Sequence, residues 1–390
     1  MDKYIYLDNN ATTQMAPEVK QIMRENEDLY GNASSMHAMG RMAESAIAWA
    51  RGEVKSLIGA SAEDEVYFIS GSTEGNNTVF NTFRDLIDDG SRKDRILLST
   101  VEHPASIETA KYLKKKSYKI DYIPVDRIGM VDLKALEELM GDDVVLVSVM
   151  LGNNESGVIQ PVKEVSRIAR SYGAYVHTDA TQAIGKIEVD VKDLDVDYLT
   201  LSAHKFYGPK GVGALYMRHG VPRTPLLHGG HQEGGERAGT YNTQGIIGLG
   251  KAAELARLSV KEEREYLWKL RCALKKGIEE RIDGVTFNGS DDYETALPGT
   301  LDVSFSSAEG ESILLYLDLE GIEVSTGSAC ASGSLEPSYV LLATGLDIEL
   351  AHGSIRFSFG RYNTMEEVGI VLEKLPPIIK KIREMSTRKV

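Results

Sequence analysis

The chain has 390 residues, two cysteines and a formal net charge of −14 at neutral pH. That length exceeds the ~250–300 residues at which one hydrophobic core stops growing, so two lobes are expected, and a composition 42% hydrophobic and 26% charged excludes a disordered or fibrous chain. The acidic balance argues against nucleic acid or an anionic membrane as the main partner; two cysteines exclude a disulfide framework; and with no membrane-length apolar run and no secretory signal among the first residues, a cytoplasmic protein is expected.

Along the chain, short runs rich in Val, Ile and Tyr alternate with segments of helical period. Strands are expected at Glu65–Ile69, Arg95–Ser99, 118–123, 144–149, 174–177, Tyr198–Ser202 and Gly213–Met217, with helices between most of them at 73–86, 105–116, 133–140 and 161–171. Strand then helix, repeated, reads as right-handed crossovers and a mainly parallel sheet with helices on both faces. In such sheets ligands sit beyond the carboxyl ends of the strands. The character changes near residue 250. A helical segment over 251–282 sets Leu267, Leu270, Leu274 and Ile278 on one stripe, and strands at Thr300–Phe305, 322–325 and 353–359 precede a closing helix, Met365–Met385. That pattern fits a smaller α+β lobe. The charge run over 111–119 reads as a solvated helix end.

Three segments carry chemistry. After the first strand of the sheet comes Ser70-Gly71-Ser72-Thr73-Glu74-Gly75-Asn76-Asn77 and then a helix. Small residues at such a turn let backbone N–H groups approach a phosphate; alternatively Ser72 or Thr73 is only a helix cap, with Asn76 or Asn77 supporting the turn. No Gly-Lys-Ser/Thr follows, so this is not a Walker A loop. Asp179, in His177-Thr178-Asp179-Ala180-Thr181-Gln182, is placed at the end of the strand 174–177, where it could hold a protonated heterocyclic nitrogen or cap a helix. Lys205, in Ser202-Ala203-His204-Lys205-Phe206-Tyr207-Gly208-Pro209, follows a strand and precedes a Gly/Pro turn, which suits a Schiff-base lysine. It lies 26 residues after Asp179, the length of one βαβ step, so both fall on the same sheet edge. A phosphate cradle, a pyridinium partner and an imine-forming lysine together point to pyridoxal 5′-phosphate (PLP).

The same residues, with Tyr6-Leu7-Asp8-Asn9-Asn10-Ala11-Thr12-Thr13, Glu102-His103, Asn153-Asn154-Glu155-Ser156-Gly157 and Gly327-Ser328-Ala329-Cys330, resemble the NifS/IscS cysteine desulfurases, of the class-V aminotransferase family of fold-type I PLP enzymes. The resemblance spans nearly the whole chain. Ser332-Gly333-Ser334-Leu335-Glu336-Pro337-Ser338 and Gly229-Gly230-His231-Gln232-Glu233 are close to the NifS-like group. It implies an α/β fold with a large PLP-binding domain at residues 14–255 and a small α+β domain at 1–13 and 256–390, the latter carrying Cys330 and Arg356. Lys205 would hold the cofactor as a Schiff base, His103 would stack on its ring and move protons, Asp179 would pair with the ring nitrogen and Gln182 with the phenolic oxygen. Ser72, Thr73, Ser202 and His204 would hold the phosphate, with Thr240 reaching it from the other subunit of a homodimer. Asn154 and Arg356 would bind the substrate carboxylate. For Arg356 the residues add support: Ile355, Phe357 and Phe359 alternate, so Arg356 and Ser358 share the other face. A surface ion pair for Arg356 is the plain alternative.

The implied reaction takes L-cysteine to L-alanine, leaves a persulfide on Cys330 and passes the sulfur to an acceptor such as an iron–sulfur scaffold protein. Cys330 lies in a Gly/Ser-rich run with no apolar period, read as a mobile loop, whereas Cys272 has no reactive surroundings. No metal site is expected, although Cys330 is a candidate transient ligand of a cluster shared with a partner; one cysteine cannot hold a cluster alone. Ala33 stands where the family usually has proline, and Tyr207 and Thr240-Tyr241-Asn242 vary at positions the chemistry does not require. The rival readings are an aminotransferase or selenocysteine lyase of the same fold, and a catalytically idle sulfur-relay subunit.

Overall fold

The computed structural model describes residues 4–326 and 336–385. The strands in its first half are β1 (Ile5–Tyr6), β2 (Glu65–Ile69), β3 (Arg95–Ser99), β4 (Lys119–Ile123), β5 (Val144–Ser148) and β6 (Tyr175–Asp179). Those after them are β7 (Tyr198–Ser202), β8 (Gly213–Met217), β9 (Val285–Asn288), β10 (Thr300–Phe305), β11 (Ile322–Glu323) and β12 (Ser354–Ser358). Seven of these form one sheet in the spatial order β2-β8-β7-β6-β5-β3-β4. The five strands from β7 to β4 run parallel, and β8 runs antiparallel to both its neighbours. The helices Ser72–Asp88, Pro104–Lys115 and Val162–Ser171 are the crossovers that this parallel order requires. The mainly parallel α/β sheet expected from the strand–helix alternation is the one found.

Strands with helices on both faces must be apolar on both faces, and β5 and β7 are buried at every residue. Alternate residues feed two cores. Leu97, Val147 and Leu199 pack with Val54 and Val165 on one side, while Ile96, Leu98, Leu146 and Tyr198 pack with Phe80 and Phe83 on the other. A third core lies around the antiparallel sheet β12-β10-β9 and the parallel pair β1-β11. There Val303, Ile355 and Phe357 meet the expected stripe of Leu267, Leu270, Leu274 and Ile278 together with Val371 and Leu375 of the last helix. The charge run after Tyr112 is exposed at its lysines, as a solvated helix end should be.

Three local expectations change. β6 extends to Asp179, so that residue ends the strand rather than following it. The long helix starts at Thr243, before the expected 251, because Gly245, Gly248 and Gly250 lower helix propensity but allow close packing. A Cβ on Gly250 would lie 2.7 Å from Ala50 Cα, and one on Gly248 would lie 2.8 Å from the Pro209 ring. β9 was not expected: its four residues are all partly exposed and show no apolar alternation. Among the described residues no helix is long and apolar enough to cross a membrane.

Candidate active site

The carboxyl ends of β6 and β7, the start of two helices and residues 8–13 converge at one edge of the large sheet. Asp179 is buried there. Its Oδ2 accepts from Asn76 Nδ2 at 2.7 Å and its Oδ1 from the Thr181 N–H at 3.0 Å. No helix follows to be capped; the next, Val191–Leu194, is capped by Asp190. Asn76, fully buried, reads from the sequence only as a candidate support of the turn after β2; the structure gives it to Asp179 instead. Thr200 Oγ1 donates to its Oδ1 at 2.6 Å, which turns the amide NH2 toward Asp179.

Asn76 belongs to the helix Ser72–Asp88, whose cap is Gly71 with no side-chain bond, so Ser72 and Thr73 are not its caps. The Gly71 carbonyl accepts from the N–H groups of Glu74 and Gly75, and those of Ser72 and Thr73 are left unused by the helix itself. The helix lies tight on β7: a Cβ on Gly75 would sit 2.6 Å from Thr200 Cγ2. Glu74 holds the segment carrying Thr240 through Arg237, whose Nε donates to Glu74 Oε1 at 2.8 Å. Thr240 itself is exposed.

Ser202 closes β7, and His204 and Lys205 occupy the 3₁₀ turn Ala203–Lys205 that follows. Lys205 Nζ donates to the carbonyls of Asn10 at 2.6 Å and Ala11 at 2.7 Å. His204 Nδ1 lies 3.1 Å from Thr12 Oγ1. Burial, then the charges of Lys205 and Lys210, push the His204 imidazole down to about 4, so it is neutral near pH 7. His103 caps the helix Pro104–Lys115, with Nδ1 accepting from the Ala105 N–H at 3.1 Å. The proton of its neutral ring therefore sits on Nε2. Burial lowers the His103 pKa, Asp179 opposes that and Lys205 adds to it, so the imidazole lies within electrostatic reach of both.

Gln182 completes this side. Its Nε2 donates to the Asn10 carbonyl at 2.8 Å, and its Oε1 accepts from Lys186 Nζ at 2.7 Å.

Across the site stands Arg356 on β12. Only 3% exposed, it is no surface residue, and its ion pair is internal: Nη2 donates to Asp8 Oδ1 at 2.8 Å. Its Nη1 donates to the Asn154 carbonyl at 2.9 Å, which also accepts from Asn10 Nδ2 at 3.1 Å. Two further buried carboxylates face this cation. Burial pushes Glu155 and Asp302 up to about 7, against the lowering effect of Arg356 on each. Glu155 also accepts a short hydrogen bond from Ser338 Oγ. Cys330 lies outside the described residues; Cys272 is half-buried on the long helix.

The residues present fit PLP. Asp179 is a buried carboxylate that makes no ion pair among the described residues, as a partner for a protonated ring nitrogen should be. Lys205 stands on the next strand end, and unused helix N–H groups stand where a phosphate would lie. Fold and site are those of a PLP enzyme.

Comparison narrows the class. Residues 5–371 match the family model described as Aminotransferase class-V. A protein named cysteine desulfurase IscS from Dictyoglomus turgidum is 48% identical, covering 100% of this chain and 98% of its own length. Another of that name, from Methanosarcina thermophila, is 45% identical over 99% of this chain and 94% of its own. A solved structure described as a NifS-like protein matches with a TM-score of 0.90 at 41% identity, covering 97% of this chain and all of that one. The chain belongs to the class-V aminotransferases and, within them, to the NifS/IscS cysteine desulfurase family.

Proposed function

We propose that this protein is a PLP-dependent desulfurase acting on L-cysteine, with Cys330 as the sulfur acceptor within the chain. The observation that carries the reading is the meeting of Asp179, Lys205 and His103 at one sheet edge opposite Arg356. Bound through Lys205, PLP supplies an electron sink for charge left when the substrate's α-proton departs.

The chain's own groups do the rest. Asp179, oriented by Asn76, keeps the ring nitrogen protonated, and Gln182 offers its amide N–H to the phenolic oxygen. Ser72, Thr73, Ser202 and His204 hold the phosphate. Arg356 and Asn154 fix the substrate carboxylate and so aim the α-carbon at the base. Lys205, or His103 through Nε2, would move the α-proton. The Cys330 thiolate attacks the substrate sulfur: a sulfur–sulfur bond forms, the carbon–sulfur bond breaks, and the carbon takes up a proton. Cysteine plus enzyme thiol thus becomes alanine plus enzyme persulfide, with no external oxidant or reductant.

The exposure of Thr240 supports a homodimer in which it reaches the partner's phosphate site. The relatives' name, cysteine desulfurase, supports sulfur removal from cysteine; the persulfide is then passed to an acceptor such as an iron–sulfur scaffold protein, with Cys330 as a transient cluster ligand. The scarcity of cysteine supports a cytoplasmic location.

Mass spectrometry of the holoenzyme after incubation with cysteine alone tests the reading. One added sulfur on the peptide containing Cys330, with alanine formed in equal amount, is expected. Sulfur on Cys272 instead, or wild-type alanine production by Cys330→Ala without reductant, would overturn it.

A further inference from the structure

One buried cation at the site has no part in the chemistry above. Lys186 lies four residues after Gln182, in the turns that follow β6. It is buried, and among the described residues no carboxylate pairs with it. Its Nζ donates instead to two neutral oxygens, Gln182 Oε1 at 2.7 Å and Asn10 Oδ1 at 2.8 Å. Burying an ammonium without a counter-charge is unfavourable. A residue that only filled space here could be apolar. Burial, followed by repulsion from Lys205 and Arg356, pushes the Lys186 amine down to about 7.

What this group achieves is the orientation of two amides. Charged or neutral, Nζ carries N–H groups to donate, and the atom each amide turns toward them is its oxygen. The NH2 of Gln182 is thereby directed to the opposite side, onto the Asn10 carbonyl at 2.8 Å. Lys205 Nζ donates to that same carbonyl at 2.6 Å, so the donor edge of Gln182 lies beside the lysine that carries the cofactor. The NH2 of Asn10 is likewise directed away, to Thr300 Oγ1 at 2.9 Å and the Asn154 carbonyl at 3.1 Å.

We propose that Lys186 is a positioning residue: by occupying the oxygen of Gln182 it holds that amide with its N–H edge toward Lys205 and the cofactor's phenolic oxygen. The proposal rests on the PLP reading above. Without Lys186 only the Asn10 carbonyl still orders the amide, and an amide that turns over presents its oxygen, which repels a phenolate.

The test compares the holoenzymes of wild type, Lys186→Met, Gln182→Ala and the double variant. Two quantities are read: the pH midpoint of the bound cofactor's visible absorbance, and the rate of cofactor release on dilution. Lys186→Met is expected to move the midpoint and to release cofactor about tenfold faster, as loss of one oriented hydrogen bond implies. Added to Gln182→Ala, it should change neither quantity further, because it acts through that amide. Lys186→Gln, neutral and one bond too short to reach Gln182, replaces the methionine variant if the latter does not fold, with the same expected shift. A Lys186→Met holoenzyme with wild-type midpoint and release rate, lowered only in melting temperature, overturns the proposal. So does a double variant whose losses simply add. A wild-type protein that takes up no PLP overturns the cofactor reading instead, and the two failures are thus distinct.

Discussion

The two sides of the site are held in place by different forces. Around Asp179 and Lys205 the partners are largely uncharged: Asn76, Thr200, Gln182 and the carbonyls of Asn10 and Ala11. Around Arg356 they are acidic, with Asp8 in direct contact and Glu155 and Asp302, both raised to about 7 by burial, close enough to feel the guanidinium. Neutral hydrogen bonds are short-range and directional, which suits a ring that must sit in one orientation. A buried cation among several carboxylates suits a different task. Asp8 and the Asn154 carbonyl hold the guanidinium in place, and an anionic substrate would have to share it with them.

The largest effect is expected on the charged side. Arg356→Ala should lower kcat/KM for cysteine by about 100-fold or more, since it removes a buried charge-assisted partner of the carboxylate. Steady-state kinetics at fixed PLP would show the loss mainly in KM; an unchanged KM would show that the carboxylate binds elsewhere. A smaller loss belongs to the neutral side. Asn76→Ala strips the amide donor from Asp179 Oδ2 while the Thr181 N–H stays on Oδ1. It should weaken cofactor binding by about 10- to 100-fold, for a hydrogen bond to a charged group of roughly 1.5–3 kcal/mol. Absorbance titration with PLP measures it, and equal affinities would mean that Asn76 does not orient Asp179. Because Asn76 is uncharged, this loss should change little with salt, unlike that of Arg356→Ala.

The smallest effect is in pH dependence. Burial raises Glu155 from its usual 4.5 to about 7, so the folded chain keeps a proton that the unfolded chain gives up. Its contribution to stability is full below about 4.5 and is lost as pH rises through about 7. Glu155→Gln removes that dependence. Between about pH 5 and 8.5 the melting temperature of the variant should fall less than that of wild type, by about 2 °C or more. Parallel curves would show that Glu155 is ionised throughout and adds a full negative charge beside Arg356.

What the sequence revealed, and what it hid, follows the same division. Strands such as Arg95–Ser99 and Val144–Ser148 are legible because burial on both faces leaves apolar runs of three or four residues. Lys205 and Asp179 are legible because each stands at a strand end, a position with a known geometric meaning. Asn76 is harder: it lies on a helix in a run rich in small polar residues, and nothing local says that Thr200, 124 positions away, fixes its amide. Lys186 and Asn10 meet across 176 positions; Asn10 lies in the Tyr6–Thr13 motif, but nothing in that motif says that Lys186 is its partner. Val285–Asn288 is recognisable as a strand only through its pairing with Thr300–Phe305. Periodicity reports what a segment buries; it does not report which distant partner a polar group will find.

Asn10 has one more consequence, for biosynthesis. Its side chain, N–H and carbonyl are engaged by Lys186, Gln182, Lys205, Thr300 and Ser358, with separations of up to 348 positions. A ribosome releases residue 10 early and residue 358 almost last. The central sheet can therefore form while the polypeptide is still growing, yet the pocket at its edge stays incomplete until nearly all of the chain has emerged. Translation that stops short of β12 would yield a sheet with Lys205 in place and no Arg356 opposite it, so the charged side of the pocket is the part made last.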